Sequence, residues 1–364
     1  MLATQLSTPV LTVDLDVLER NLERVAELCR LQGVGLRPHT KTHKTVEVSS
    51  LQMAKGAVGL TVAKVGEAEV LAAAGFDDIL VAFPIMGDEK LARLARIAGS
   101  RRLLVSLDSE AAALAVSRAA AAQNAKLGVL VEFDAGGRRC GLESGPSLVS
   151  LAKTIEKLPG LKFRGLMSYF GNVWGTAEER RAEAERVAER LARALAAFRA
   201  ENMPVEIVSG GSTPSAEFAH LIRGLTEIRP GTYVYNDLNT YYQGACAMED
   251  CAVRVVATVV STAVPGRAII DGGSKTFSSD LLGSGPKSGY GHVVEAPDAP
   301  IVKLNEEHGL LDISQSRHNF HVGEVVTVIP NHVCATVNMH DDIIALRKGE
   351  AVGCWKIAAR GKIR

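Results

Sequence analysis

No apolar run in this chain reaches the ~18–20 residues that a membrane-crossing helix needs, because charged side chains interrupt each run well before that length. Residues 1–8 carry no basic segment followed by an apolar stretch, so no secretory leader is read there. No five like charges stand in succession, and 41 Lys plus Arg balance 41 Asp plus Glu, which argues against a nucleic-acid binder and against an acidic tail. The six cysteines, at 29, 140, 246, 251, 334 and 354, form no Cys-x-x-Cys pair, which speaks against both a disulfide framework and a structural zinc cluster. Walker A and Gly-x-Gly-x-x-Gly turns are missing, as are short-period repeats and low-complexity tracts. The expectation is a soluble, cytoplasmic protein whose partner is a small molecule, with no nucleic acid and no membrane.

What is present is length, 364 residues with 47% hydrophobic content, and a regular alternation. From Val10 to about Tyr235, short β-branched runs give way to Gly or polar breaks and then to Ala/Leu/Glu/Arg segments with helical spacing. Strands are predicted at Leu11–Val13, Gly35–Arg37, Gly59–Val62, Asp78–Val81, Arg102–Ser106, Lys126–Phe133, Phe163–Met167, Glu206–Val208 and Glu227–Arg229. The clearest helix is Thr176–Asn202, opened by the capping box Thr176-Ala-Glu-Glu179. With the first strand set aside, eight βα units remain, the count for a closed (β/α)8 TIM-like barrel, with a doubly wound open sheet as the competing arrangement. After about residue 245 the pattern becomes β throughout, at Ala252–Ser261, Arg267–Ile270, Glu324–Ile329, Ile343–Arg347 and Ala351–Ile357, with no convincing helix between. Residues 281–323 read as ligand-facing loops, including Gly283-Ser-Gly-Pro286. The expected layout is therefore α/β: a barrel over 15–245 and a second, mostly β domain over 246–364 together with 1–14.

Three constellations carry chemistry. Arg37-Pro-His-Thr-Lys-Thr-His-Lys44 places Lys41 at the end of a buried strand among other cations, which would favour a neutral amine and make it a Schiff-base candidate; the plainer reading is a solvated basic loop. Ser209-Gly-Gly-Ser-Thr213 offers close backbone approach and two hydroxyls to an anion, and suits a cofactor carrying one phosphate. Glycines there can equally serve turn geometry. His332 and Cys334, two apart in a segment read as extended, would point the same way and could grip one divalent ion, although most such pairs are a core cysteine beside an ordinary histidine. Arg138, Arg139, Ser168 and Tyr169 likewise follow predicted strands, where a barrel gathers its reacting groups.

Ordered motifs along nearly the whole chain resemble the D-threonine aldolase and D-serine dehydratase family, pyridoxal phosphate enzymes of the alanine racemase fold type. They are Thr8-Pro-Val-Leu-Thr-Val-Asp14, Arg37-Pro-His-Thr-Lys41, Lys64-Val-Gly-Glu-Ala-Glu69, Arg139-Cys-Gly141, Ser209-Gly-Gly-Ser-Thr213, Asp271-Gly-Gly-Ser-Lys275, Asn305-Glu-Glu-His-Gly309, Pro330-Asn-His-Val-Cys334 and Ala358-Ala-Arg-Gly361. The resemblance implies that Lys41 is joined to pyridoxal 5'-phosphate and that Gly210, Gly211, Ser212, Thr213, Gly231 and Tyr233 hold the phosphate. It implies further that Tyr169 and Arg139 lie near the cofactor ring. His332 and Cys334 match the family's metal pair, for zinc or manganese, with His332 catalytic as well. Two positions depart from the family: Ala63 and Gly66 stand where glutamine and serine are common. The second metal position is aspartate in known aldolases and cysteine in the dehydratase branch, so Cys334 pulls toward dehydration and toward zinc.

The implied substrate is a D-β-hydroxy-α-amino acid. Removing its hydroxyl proton breaks Cα–Cβ and yields glycine plus an aldehyde; removing the Cα proton leads to a keto acid plus ammonia. Retro-aldol cleavage is the first expectation and dehydration of D-serine or D-3-hydroxyaspartate the second. An amino acid racemase, a non-catalytic cofactor carrier and a barrel hydrolase are lesser alternatives. A homodimer is expected from the resemblance alone.

Overall fold

The computed structural model describes residues 2–282 and 289–364, so the Gly283-Ser-Gly-Pro286 cluster lies outside the described residues. The chain divides into two compact units: Val25–Lys41, Ser49–Gly231 and Gly361–Arg364 make one, and Met1–Arg24, Thr42–Val48 and Thr232–Arg360 the other.

The first unit is built on eight parallel strands in the order Gly35–Leu36, Glu227–Ile228, Ile207–Gly210, Leu161–Met167, Leu127–Glu132, Arg102–Leu107, Asp78–Val81 and Leu60–Val62. The two ends of this sheet meet just beyond the first strand. His39 bridges Thr61 in parallel, Thr40 N donates to Thr61 O at 2.8 Å, and Thr61 N donates to Pro38 O at 2.9 Å. The sheet is thus a closed barrel, and the open doubly wound arrangement is excluded. Its strands are apolar on both faces because both are covered, which is why they read as unbroken β-branched runs. On one face Leu80, Leu104, Leu130 and Met167 pack together, each burial worth about 1.5–3 kcal/mol. Two residues further along, Ser106 and Glu132 stand on that same face. Gly165 is needed where the register of Leu161–Met167 shifts: its φ is +147°, and a Cβ would lie 1.9 Å from Ile207 O.

The long helix runs over Ala177–Ala200. Thr176 Oγ1 accepts from Glu179 N at 3.2 Å and Glu179 Oε2 accepts from Thr176 N at 2.8 Å, the reciprocal cap that the sequence predicts.

The second unit holds a nine-stranded sheet among the described residues. Its path is Ile301–Leu304, Gly309–Asp312, Arg267–Ile270, Val253–Ser261, Val10–Asp14, Asp342–Arg347 and Glu350–Lys356, with Val325–Pro330 pairing both Val253–Ser261 and Gly291–Val293. The stretch expected to be loops therefore contributes three strands, Gly291–Val293, Ile301–Leu304 and Gly309–Asp312. Each has only three or four residues, too short for an alternation to register in the sequence. Two short helices, Ser274–Phe277 and Val333–Val337, also correct the expectation of a helix-free β region.

Candidate active site

In the barrel unit, Lys41 is half-buried in the turn after Gly35–Leu36, and its backbone N donates to His39 Nδ1 at 3.3 Å. Its Nζ lies 5.8 Å from the centroid of the Tyr169 ring, and the Arg139 guanidinium sits 4.7 Å from the same centroid. The ring is fixed by Gly171, where a Cβ would meet Tyr169 Cε1 at 2.1 Å. The Tyr169 ring thus gathers the strand-end lysine and an arginine, both attracted by its quadrupole. Arg37 does not belong to this group. Its guanidinium bonds Glu227 at 2.8 and 2.9 Å and Asp78 at 2.6 Å, so the cation that the sequence placed beside Lys41 is already neutralised.

A cavity of about 230 Å³ opens beside Tyr169, lined in part by Glu132, Arg139, Cys140, Ser168 and Asn172. Glu132 is buried, and its Oε2 has no hydrogen-bond partner among the described residues. Burial pushes its carboxyl up to about 7, against the pull of Arg229 and with a push from Asp108. Arg229 follows strand Glu227–Ile228 and is itself buried. Its Nη1 donates to Ser209 Oγ at 2.7 Å and its Nη2 to Ser168 O at 2.8 Å. Burial lowers its guanidinium to about 10, with Glu227 and Glu132 opposing the drop.

The small-residue turn follows Ile207–Gly210. A Cβ at Gly210 would lie 2.3 Å from Phe170 Cζ, and Gly211 has φ +88°. Ser212 N donates to Ser215 Oγ at 2.8 Å, and Ser212 Oγ also reaches Ser215 Oγ at 3.2 Å. Ser215 thereby ties the turn carrying Gly210 through Thr213, and Gly231 lies in the same unit just past Arg229. The Lys41 amine, a glycine turn, an aromatic wall and an orphaned acid oxygen on a cavity are chemically compatible with a small phosphorylated aldehyde cofactor.

The second unit carries Tyr233, His332 and Cys334. Tyr233 is buried in the short 3₁₀ helix Thr232–Val234. His332 is not in extended chain with Cys334: it is the N-cap of helix Val333–Val337, and Cys334 belongs to the first turn. The two residues nevertheless stand together at the start of one helix. The neighbouring Cys334 raises the His332 imidazole to about 9 against the opposing effect of burial, helped by the charge of Asp237 and by Asp280. Thr42 Oγ1 and Thr232 Oγ1 approach Cys334 Sγ at 3.2 and 4.0 Å. Asp237 is wholly buried, and its Oδ1 accepts from Thr240 N and its Oδ2 from Val333 N, both at 2.9 Å, so it anchors the helix start between the two ligand candidates. Burial raises its carboxyl. Imidazole and thiolate are donors that suit zinc. Among the described residues no group of three or more His, Cys, Asp or Glu is arranged to hold a metal ion.

Sequence reasoning missed Glu132, Arg229, Thr42, Asp237 and Asp280. Arg229 had a signal, since it directly precedes Pro230-Gly231 in the turn read as phosphate-holding. Thr42 lies within the Arg37–Lys44 run but has no distinguishing signal there, and the other three are single residues outside any recognisable spacing.

Two family models match the chain: alanine racemase, N-terminal domain, over residues 13–239, and putative serine dehydratase domain over 252–346. The chain is 34% identical to D-threonine aldolase of Arthrobacter sp, over 98% of this chain and 93% of that one. It is 36% identical to D-threo-3-hydroxyaspartate dehydratase of Delftia sp. (strain HT23), over 96% and 97%. Among solved structures, D-threonine aldolase from Filomicrobium marinum superposes with a TM-score of 0.93 at 34% identity, covering 100% of this chain and 98% of that one. A Cys-to-Ala variant of D-threo-3-hydroxyaspartate dehydratase in a metal-free form gives 0.90 at 33% identity, covering 98% of each. No helix among the described residues is long and apolar enough to cross a membrane. With a closed barrel bearing a strand-end lysine and a β unit bearing a His–Cys pair, the chain belongs to the alanine racemase-like family that includes D-threonine aldolase and D-threo-3-hydroxyaspartate dehydratase.

Proposed function

We propose that this protein is a pyridoxal phosphate- and divalent metal-dependent lyase acting on D-β-hydroxy-α-amino acids, with retro-aldol cleavage to glycine and an aldehyde as its main reaction. Kinship along the full chain to an aldolase and to a dehydratase, both acting on such substrates, supports the class. The observation that carries the metal dependence is the placing of His332 as N-cap and Cys334 in the first turn of one helix, beside the Asp280 carboxylate.

Lys41 supplies the amine that holds the cofactor's aldehyde carbon. Gly210, Gly211, Ser212, Thr213, Gly231 and Tyr233 hold its phosphate, with Ser215 ordering the turn. Tyr169 and Arg139 border the ring, and Glu132 presents its buried carboxyl to the cavity, with the charge of Arg229 acting on it. Pyridoxal phosphate, when bound, supplies an electron-withdrawing ring that stabilises negative charge at the substrate's Cα. His332 and Cys334 bind the divalent ion, a Lewis acid for the substrate's β-oxygen. Zinc is the assignment for that ion, because a thiolate prefers it to manganese.

Dehydration is the second reading, favoured by the thiol at position 334 and by the dehydratase at 36% identity. Incubating the metal-loaded enzyme with D-threonine and with D-serine separates the two. Glycine plus acetaldehyde supports cleavage, and keto acid plus ammonia supports dehydration. Undiminished turnover in the presence of a chelator would overturn the metal dependence and return the racemase to consideration.

A further inference from the structure

We propose that Asp280 is the positioning residue of the metal pair: its carboxylate holds the Nδ1 proton of His332 and so turns Nε2 toward the ion. This rests on the reading of His332 and Cys334 as metal ligands.

His332 Nδ1 lies 2.6 Å from Asp280 Oδ2. An ionised carboxylate can only accept, so Nδ1 carries a proton in this contact, and Nε2 is the nitrogen that can give up its proton to an ion. With Nδ1 committed to Asp280, the nitrogen left for an ion held with Cys334, which stands in the first turn of the helix that His332 caps, is Nε2. Metal-binding histidines commonly carry such an outer carboxylate, which fixes the tautomer and raises the basicity of the ligating nitrogen.

Asp280 is held in place by its backbone. Its N donates to Ser278 Oγ at 3.2 Å, and its O accepts from Asn331 Nδ2 at 3.0 Å. Asn331 directly precedes His332 and is buried, so acid and imidazole are clamped through adjacent residues. Ser278 adopts φ 69° and ψ 177°, a backbone shape that favours glycine, at the bend leading into Asp280. A folding role does not account for this arrangement. The His332 and Asp280 side chains are 41% and 45% exposed, and ion pairs so open to solvent add little to stability. An open pair does suit a site that must admit an ion and a substrate.

The test is cobalt(II) binding to the cofactor-loaded enzyme, followed by its visible bands and by competition with a chelator. Wild type, Asp280→Asn, Asp280→Ala and His332→Ala are compared, with urea unfolding run on each. The expected order of affinity is wild type, then Asn, then Ala, with Ala weaker by about 10–100-fold and unfolding midpoints unchanged. Asn keeps the shape and a weaker acceptor, so its intermediate rank is a readout that a general packing defect would not produce. Should His332→Ala abolish binding while Asp280→Ala stays within about twofold of wild type, the proposal fails and the metal reading stands. Should His332→Ala bind cobalt as wild type does, the metal reading fails and takes the proposal with it.

Discussion

Thr42 Oγ1 lies 3.2 Å from Cys334 Sγ, and Thr42 is the residue that follows Lys41 in the chain. Thr42 is fully buried, so no solvent competes for its contact with the sulfur. On the proposed reading of Cys334 as a metal ligand, this hydroxyl would donate to the thiolate, the sulfur-side counterpart of an outer partner on a ligating histidine. Thr42→Val keeps the shape and removes the donor. Zinc affinity, read by chelator competition, is expected to drop by about 10-fold and to recover in Thr42→Ser.

The amine at position 41 is tested directly. Lys41→Ala is expected to lose the absorbance band near ~420 nm that a lysine-bound pyridoxal phosphate produces. Borohydride treatment followed by peptide mass spectrometry is expected to place the cofactor on the peptide containing residue 41 of the wild type.

Glu132 makes the stability of the cofactor-free protein depend on pH. Its folded value is about 7 against an ordinary value of 4.5, so the folded state binds this proton more tightly than the unfolded chain does. The group's favourable contribution is complete below pH 4.5 and is lost as pH rises to about 7. The loss is at most about 3 kcal/mol. Glu132→Gln removes that slope. Urea midpoints at pH 5 and pH 8 are expected to converge in the variant relative to wild type, and a slope that persists unaltered would assign it to another group.

Gly210→Ala sets a Cβ 2.3 Å from the Phe170 ring, in the turn assigned to the phosphate. Overpacking of this kind costs about 1–3 kcal/mol. The variant is expected both to unfold earlier and to need more pyridoxal phosphate for half-saturation, measured by cofactor absorbance.

Thr176→Ala removes a reciprocal helix cap whose two hydrogen bonds join only Thr176 and Glu179, neither of them a proposed site residue. A loss of about 1 kcal/mol in unfolding free energy is expected, with kcat/KM unchanged.

Much of the barrel is legible in sequence, because a buried parallel strand is a continuous apolar run and its helix is an amphipathic one. Asp78–Val81 has identical bounds in both readings, and Thr176-Ala-Glu-Glu179 marks a helix start that the structure keeps. The segment after Pro330 misled for a physical reason. Val-Cys-Ala-Thr-Val is rich in β-branched residues and favours extended chain, yet it is helical because the buried Asp237 carboxylate accepts the first amide of that helix. Asp237 lies 96 residues earlier in the chain, outside any window that local preference can sense.

The sequence by itself determined the alternation of strand and helix, the switch to a β unit, and the supply of an amine, a glycine turn, an imidazole and a thiol, since periodicity and motif spacing act over a few residues. Tertiary structure alone decided which of these groups gain partners. Asp280 reaches His332 across 52 positions, Thr42 reaches Cys334 across 292, and Arg37 is drawn into an ion pair with Glu227 across 190. Contacts at such separations arise only when packing has closed the intervening chain, and no local pattern records them.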